Sequence, residues 1–201
     1  MNVEPVTLEG QYVRLQPLSL DHYPQLCEVG LDESIWRWTT TAVKTPDDLR
    51  GYIEAALAAR DQDTALPFAT IERSSGRAIG STRFANIDRH NRGVEIGWTW
   101  VTPQLQRTPI NTEAKYQMLR HAFEVWGCIR VELKTHILNE KSRNAILRIG
   151  AKQEGILRSH RIMPDGSLRD SVVFSIIDSE WPAVKANLES KLARPYSSAK
   201  S

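Results

Sequence analysis

At 201 residues, 41% of them hydrophobic, the chain is long enough to bury a substantial core without disulfides or metals, and a single domain over 1–201 is expected. With 26 Lys and Arg against 24 Asp and Glu the net charge is +2, too little to draw the protein to nucleic acid. The two cysteines, Cys27 and Cys128, have no metal-binding or CxxC spacing, no window approaches the about 18 apolar residues of a membrane span, and "MNVEPVTLEGQ" carries no leader signature, so a metal-free cytoplasmic protein is expected.

"QYVRLQPL" alternates Val13 and Leu15 with Arg14 and Gln16, the pattern of a half-buried strand. Two helices should follow. In "SLDHYPQLCEVGL" Asp21 can cap and Pro24 falls in the first turn; in "TPDDLRGYIEAALAARDQ" Thr45 can cap and Pro46 takes the first helical position. "ALPFATIER" and "RAIGSTRFANI" flank Ser74, Ser75 and Gly76, which suggests an antiparallel hairpin. "GVEIGWTWV" is expected to place Val94, Ile96, Trp98 and Trp100 on one face and Glu95, Gly97 and Thr99 on the other.

Further on, Met118, Leu119, Ala122, Phe123 and Trp126 recur at helical spacing until Gly127, and "RVELKTHI" alternates as a strand. A helix over "EKSRNAILRIG", a strand over "AKQEGILRSHRI", a Pro-Asp-Gly turn, a strand over "DSVVFSII" and a helix over "SEWPAVKANLESKL" complete the pattern. The tail 194–201 is expected to be disordered.

That order, read with "LNEKSRNAILRIGAKQEGILRSHRIMPDGSLRDSVVFSI", resembles the GNAT superfamily of acyl-CoA-dependent N-acetyltransferases over about residues 8 to 193, and within it the ribosomal-protein N-terminal (RimJ/RimL-type) branch. The resemblance implies an α/β (α+β) fold: a central, mostly antiparallel sheet of about seven strands, helices on both faces, and a splay between the fourth and fifth strands that receives the pantetheine arm of acetyl-CoA. Those strands would be "GVEIGWTWV" and "RVELKTHI". The family's pyrophosphate loop, Q/R-x-x-G-x-G/A, falls on "QRTPIN", with Gln106 at its first position and Pro109 and Asn111 where glycines usually stand. The implied cofactor set is therefore Gln106, Arg107, Thr108, Asn111 and Thr112, with Asn139, Ser142 and the backbone of Trp100 or Val101 as oxyanion donor. A helix start presents free N–H groups whatever its side chains, and here either Thr108 followed by Pro109, or Asn111 followed by Glu113, can form the cap.

Acetyl transfer needs a neutral amine, so a base near the acceptor is expected. Glu95, on the polar face of its strand, is the first candidate; the alternative is a structural ion pair with an arginine such as Arg83. His136 and His160, read as exposed strand residues, rank below it. Asn139 is an ordinary helix cap on its residue type, and by the resemblance also holds the pantetheine, while Ser142 would meet the departing thiolate. The family's tyrosine acid would fall at Ile146, which leaves Ser142 or water for that task. Trp36 and Trp38 occupy the acceptor-lining segment and can equally be core; Trp98 and Trp100 read as core. The acceptor would be a small-molecule or peptide amine, with a homodimer left open. A non-catalytic GNAT-fold interaction module, its glycine loop and tyrosine lost, is the competing function.

Overall fold

The computed structural model describes residues 1–194. Eight strands form one sheet in the order β1-β2-β3-β4-β5-β6-β8-β7. They are β1 (Leu8–Glu9), β2 (Val13–Pro17), β3 (Ala65–Glu72), β4 (Ala78–Asp88), β5 (Gly93–Val101), β6 (Arg130–His136), β7 (Lys152–Ile162) and β8 (Leu168–Ile177). The first is an addition to the seven expected: Leu8 and Glu9 pair with Leu15 and Arg14, and two residues are too few for an alternation to be read. All neighbouring strands run antiparallel except β5 and β6, which are parallel.

The helices are α1 (Tyr23–Gly30), α2 (Glu33–Trp36), α3 (Pro46–Asp61), α4 (Pro109–Arg120), α5 (Glu140–Arg148) and α6 (Trp181–Leu192). Thr45 caps α3 through its hydroxyl, with Pro46 at the first position, as its sequence directs. The cap expected at Asp21 lies elsewhere: Ser19 opens a short 3-10 turn, Leu20–His22, that runs into α1. Helix α4 passes into a π-helical turn, His121–Val125, closed by an N–H of Trp126 donating to the carbonyl of His121 at 3.0 Å.

Two cores lie on opposite faces of the sheet. One packs Ile110, Ala114, Met118 and Leu119 of α4 and Trp181, Val184 and Leu188 of α6 on Val94, Ile96, Val131, Leu133 and Phe174. The other packs Leu26, Trp36, Leu49, Tyr52 and Ile53 on Ala69, Ile71, Ala78 and Trp100. Fully burying such a side chain stabilises the fold by about 1.5–3 kcal/mol, so each helix is held by its apolar face.

The position of α4 has a second anchor. Glu113 is buried, and its carboxylate accepts the backbone N–H groups of Gln11, Tyr12 and Val13 at 2.7, 2.7 and 2.8 Å. It therefore closes the β1–β2 loop rather than completing a cap with Asn111. Most of the tail expectation, residues 195–201, lies outside the described residues.

Candidate active site

Strands β5 and β6 pair only at Gly93 with Arg130, Val94 with Val131 and Glu95 with Glu132. Beyond Glu95 the two strands part, leaving Ile96–Val101 and Leu133–His136 without each other's backbone bonds. A bulge re-aims β5 within this opening. Ser81 pairs with Trp100 but Arg83 pairs with Gly97, so Trp98 and Thr99 together oppose Thr82, and Trp98 takes φ +49°.

The bulge overturns the expected single apolar face. Val94 and Ile96 face α4, whereas Trp100 turns to the opposite core beside Trp36, their ring centroids 5.5 Å apart. Trp98, expected in the core, is 41% exposed. A period-two reading cannot register an extra residue, and "GVEIGWTWV" contains nothing else that marks one.

At the end of β5 the chain makes a 3-10 turn, Pro103–Leu105, and enters α4. Thr108 is the cap: its hydroxyl accepts the N–H of Ile110 at 3.4 Å and donates to the carbonyl of Leu105 at 2.7 Å. Asn111 is inside the first turn, which rules out its use as the cap. The conformational freedom that glycine would bring is needed at Arg107, which takes φ +65°. Arg107 is exposed, and Gln106 donates from Nε2 to the carbonyl of Val101 at 3.3 Å. The Oδ1 atom of Asn111 is buried with no hydrogen-bond partner among the described residues. Thr112 is buried, its hydroxyl accepting from Arg148 of α5.

Across the opening, Asn139 caps α5, its Oδ1 accepting the N–H of Ser142 at 3.1 Å. The hydroxyl of Ser142 makes no hydrogen bond among the described residues, and Ile146 is buried in the core.

On the sheet face opposite α4, Glu95 is 7% exposed. Its Oε2 accepts from Lys134 Nζ at 2.9 Å and Asn86 Nδ2 at 2.7 Å, while Oε1 lies where a Cβ on Gly97 would approach it to 3.1 Å. Arg83 is thus not its partner; the register that brings β6 alongside supplies Lys134 instead. Lys134 also binds Glu132. Burial by itself would lower the Lys134 pKa, but hydrogen bonds to Glu132 and Glu95 hold it above the ordinary lysine value, so Glu95 keeps a permanently charged neighbour.

His136 is buried rather than exposed, 4.9 Å from the Trp38 ring, and its Nδ1 accepts the N–H of Leu138 at 3.0 Å. Burial, then the charge of Arg169, lowers its pKa, so it is neutral at pH 7. His160 is half-buried and also lowered, by burial first and then by Arg161, Lys134 and Arg169. Trp36 belongs to the core, its Nε1 donating to Gly30, while Trp38 remains half-buried beside His136. Of the two tryptophans, only Trp38 lies beside the polar residues of this face.

Sequence reasoning missed Lys115. It is buried under α4 at 6% exposure, and its Nζ donates to Thr82 at 3.3 Å and to Thr99 in the bulge. Burial pushes its pKa from 10.5 down to about 7. Only its place between apolar Ala114 and Met118 hinted at an inward-facing residue. Among the described residues no cluster of three or more His, Cys, Asp or Glu side chains could hold a metal ion, and no helix is long and apolar enough to cross a membrane.

A strand pair that opens ahead of a capped helix start is the arrangement the resemblance implied, here with the two strands parallel, and residues 13–152 match the family described as Acetyltransferase (GNAT) domain. The chain belongs to this GNAT family. Among solved structures, a GCN5-related N-acetyltransferase from Brucella melitensis is 33% identical with a TM-score of 0.89, over 99% of this chain and 91% of that one. Among curated proteins, YdaF of Bacillus subtilis (strain 168), provisionally named a ribosomal N-acetyltransferase, is 33% identical over 110 residues, 55% of this chain and 59% of that protein's length. RimJ of Mycobacterium smegmatis, solved in complex with CoA-disulfide, is 22% identical with a TM-score of 0.76 over 89% of this chain and 88% of its own, a likeness of fold.

Proposed function

We propose that this GNAT-family protein transfers an acetyl group from acetyl-CoA to a primary amine of a small molecule or peptide. The observation that carries the reading is the opening between β5 and β6, together with the Thr108-capped start of α4 that follows the open end of β5 in the chain. The residues there fit the cofactor: free N–H groups at a helix start, an exposed Arg107, and an Asn111 whose Nδ2 can donate to a phosphate oxygen. Acetyl-CoA supplies, when bound, an acetyl thioester whose carbon–sulfur bond is exchanged for a carbon–nitrogen bond, leaving the coenzyme A thiol.

The protein's share is positioning and proton management. Arg107, Thr108 and Asn111 would hold the phosphate end, with Gln106 fixing the strand-to-helix turn. Thr112, tied to Arg148, would hold α5 against α4 rather than touch the ligand. Asn139 would keep the start of α5 facing the opening and carry the Ser142 hydroxyl toward the leaving sulfur. The backbone of Trp100 or Val101, just past the bulge, would donate to the acyl oxygen. Glu95 would take the proton of the acceptor ammonium through water at Oε1, the oxygen with no hydrogen-bond partner among the described residues, while Lys134 and Asn86 fix the carboxylate by its other oxygen. Trp38 would line the acceptor side; a cytoplasmic location fits such a substrate pair.

Isothermal calorimetry with acetyl-CoA, followed by a free-thiol assay over amino acids, polyamines and short peptides with mass spectrometry of products, tests the reading. Binding with thiol release and a product heavier by one acetyl group supports it. Absence of binding at millimolar acetyl-CoA overturns it in favour of a non-catalytic interaction module.

A further inference from the structure

Arg83 is a buried cation that forms no ion pair among the described residues. It lies on β4 opposite Gly97, on the α3 side of the sheet, and is only 6% exposed. Its guanidinium carbon sits 5.3 Å from the Tyr52 ring centroid and 5.1 Å from that of Trp98. Among the described residues, its side chain takes part in none of the ion pairs or hydrogen bonds, and Nε is buried without a partner. Tyr52 in turn donates its hydroxyl to the carbonyl of Trp98 at 3.2 Å, which holds the bulge and the clamp together.

Such a residue is costly in a finished core. A buried charge ordinarily has a counter-charge, because desolvating an unpaired one is costly and cation–π contact recovers only part of that cost. The remaining deficit is what an anionic ligand would relieve. Arg83, Tyr52 and Trp98 also line a cavity of about 400 Å³ that opens between β5 and the start of α3. The site is therefore both built and reachable.

The geometry selects the anion. The Tyr52 and Trp98 rings both lie against the guanidinium, and its edge offers parallel N–H donors that match a planar carboxylate. Asp47 and Asp48 line the same cavity, and Asp48 is held ionised by hydrogen bonds from the Lys44 N–H, the Thr45 hydroxyl and the Thr45 N–H. Two carboxylates at the rim repel a dianionic phosphate more than a singly charged carboxylate, and tolerate an ammonium on the same ligand.

The register places this site next to the proposed chemistry. Arg83 pairs with Gly97, and Glu95 is two residues earlier on β5 and on the same face, a diagonal separation of about 7–8 Å. One small molecule can span it. We propose that Arg83, held against Tyr52 and Trp98, binds a carboxylate of the acceptor, so that the acceptor is a primary amine carrying a carboxylate: an amino acid, or a peptide with an acidic side chain next to its N-terminus. The proposal rests on the acetyltransferase reading and adds the acceptor class to it.

The test uses acceptor pairs with and without the carboxylate, each rate being referred to the neutral-amine fraction because amidation also lowers the amine pKa: the L-amino acids against their C-terminal amides, and dipeptide amides with Asp or Glu at the second position against Asn or Gln. Thiol release from acetyl-CoA is measured for the wild type, Arg83→Met and Arg83→Lys, with circular dichroism and acetyl-CoA calorimetry confirming that each variant is folded and loads cofactor. The wild type is expected to favour the acid of the productive pair by about 100-fold in kcat/KM. That ratio should fall to within about 3-fold of unity in Arg83→Met and stay intermediate in Arg83→Lys, which keeps the charge but not the paired donors. Whether amino acids or dipeptides show the preference identifies the source.

A wild-type ratio near unity, or one unchanged in a folded Arg83→Met, overturns the carboxylate site while leaving acetyl transfer standing. If no pair is turned over, the N-acetyl acids and amides are titrated onto the coenzyme A-loaded wild type. No carboxylate-dependent heat then overturns the site as well. Failure to bind acetyl-CoA in the first place refutes the underlying activity instead, so the two failures are distinct.

Discussion

Replacing Lys115 by methionine is expected to stabilise the protein at neutral pH and to flatten its stability profile in mild base. The ammonium lies beneath α4 with only the hydroxyls of Thr82 and Thr99 for partners among the described residues, and burial lowers its pKa to about 7 against 10.5 for a free lysine. Between those values the unfolded chain binds a proton that the folded chain does not. Stability therefore rises with pH across this window, and below pH 7 the folded state carries the whole penalty, about 5 kcal/mol. From pH 7 to pH 9 this one group should change stability by about 2 kcal/mol, or roughly 4–8 °C in Tm for a chain of this length. Methionine matches the length of the stem and needs no solvation, and the Thr82 and Thr99 hydroxyls remain hydrogen-bonded to each other at 2.7 Å. Urea titrations followed by circular dichroism at pH 7, 8 and 9, on wild type and Lys115→Met, measure the difference. Parallel profiles for the two proteins, or a variant less stable at pH 7, would refute the account of Lys115 as a desolvated cation.

Three further expectations concern the site and its support. Glu95→Gln should lower turnover by about 10²- to 10⁴-fold with acetyl-CoA affinity nearly unchanged; near-normal turnover in a folded variant would make Glu95 a structural partner of Lys134. Arg107→Ala and Asn111→Ala should weaken coenzyme A more than a phosphate-free pantetheine thioester in calorimetry, and an unchanged affinity ratio would reduce this turn to scaffolding. Glu113→Ala strands the N–H groups of exposed Gln11, half-buried Tyr12 and buried Val13 and should cost about 3–5 kcal/mol, read as a fall in Tm of roughly 10 °C; a loss below 1 kcal/mol would show that water replaces the carboxylate.

Elements with strong local signals were legible in the sequence. Thr45 and Pro46 start α3, Ser74 to Gly76 turn the hairpin, and Asn139 caps α5, because each rests on chemistry within four residues. What the sequence hid depends on neighbours across the sheet. The identity of the Glu95 partner required knowing that β6 lies parallel to β5 in the register that brings Lys134 within reach. The facing of Trp98 and Trp100 required a bulge that opposes two residues to Thr82, and the exposure expected of His136 failed because the Trp38 segment covers it. Among the ionisable residues, Lys115 was least legible, since a lysine in an amphipathic helix reads as solvent-facing until the packing is known.

The grip of Glu113 on the β1–β2 loop has a consequence for how the chain comes into being. The three contacts span 100 to 102 positions, so while the polypeptide emerges from its N-terminus the amides of Gln11, Tyr12 and Val13 stay hydrated until more than half the protein has been synthesised. The first strands can pair with each other earlier, but their loop is fastened only when α4 arrives. The same event sets the helix whose start follows the open end of β5, and the edge of the sheet and this helix are therefore completed together.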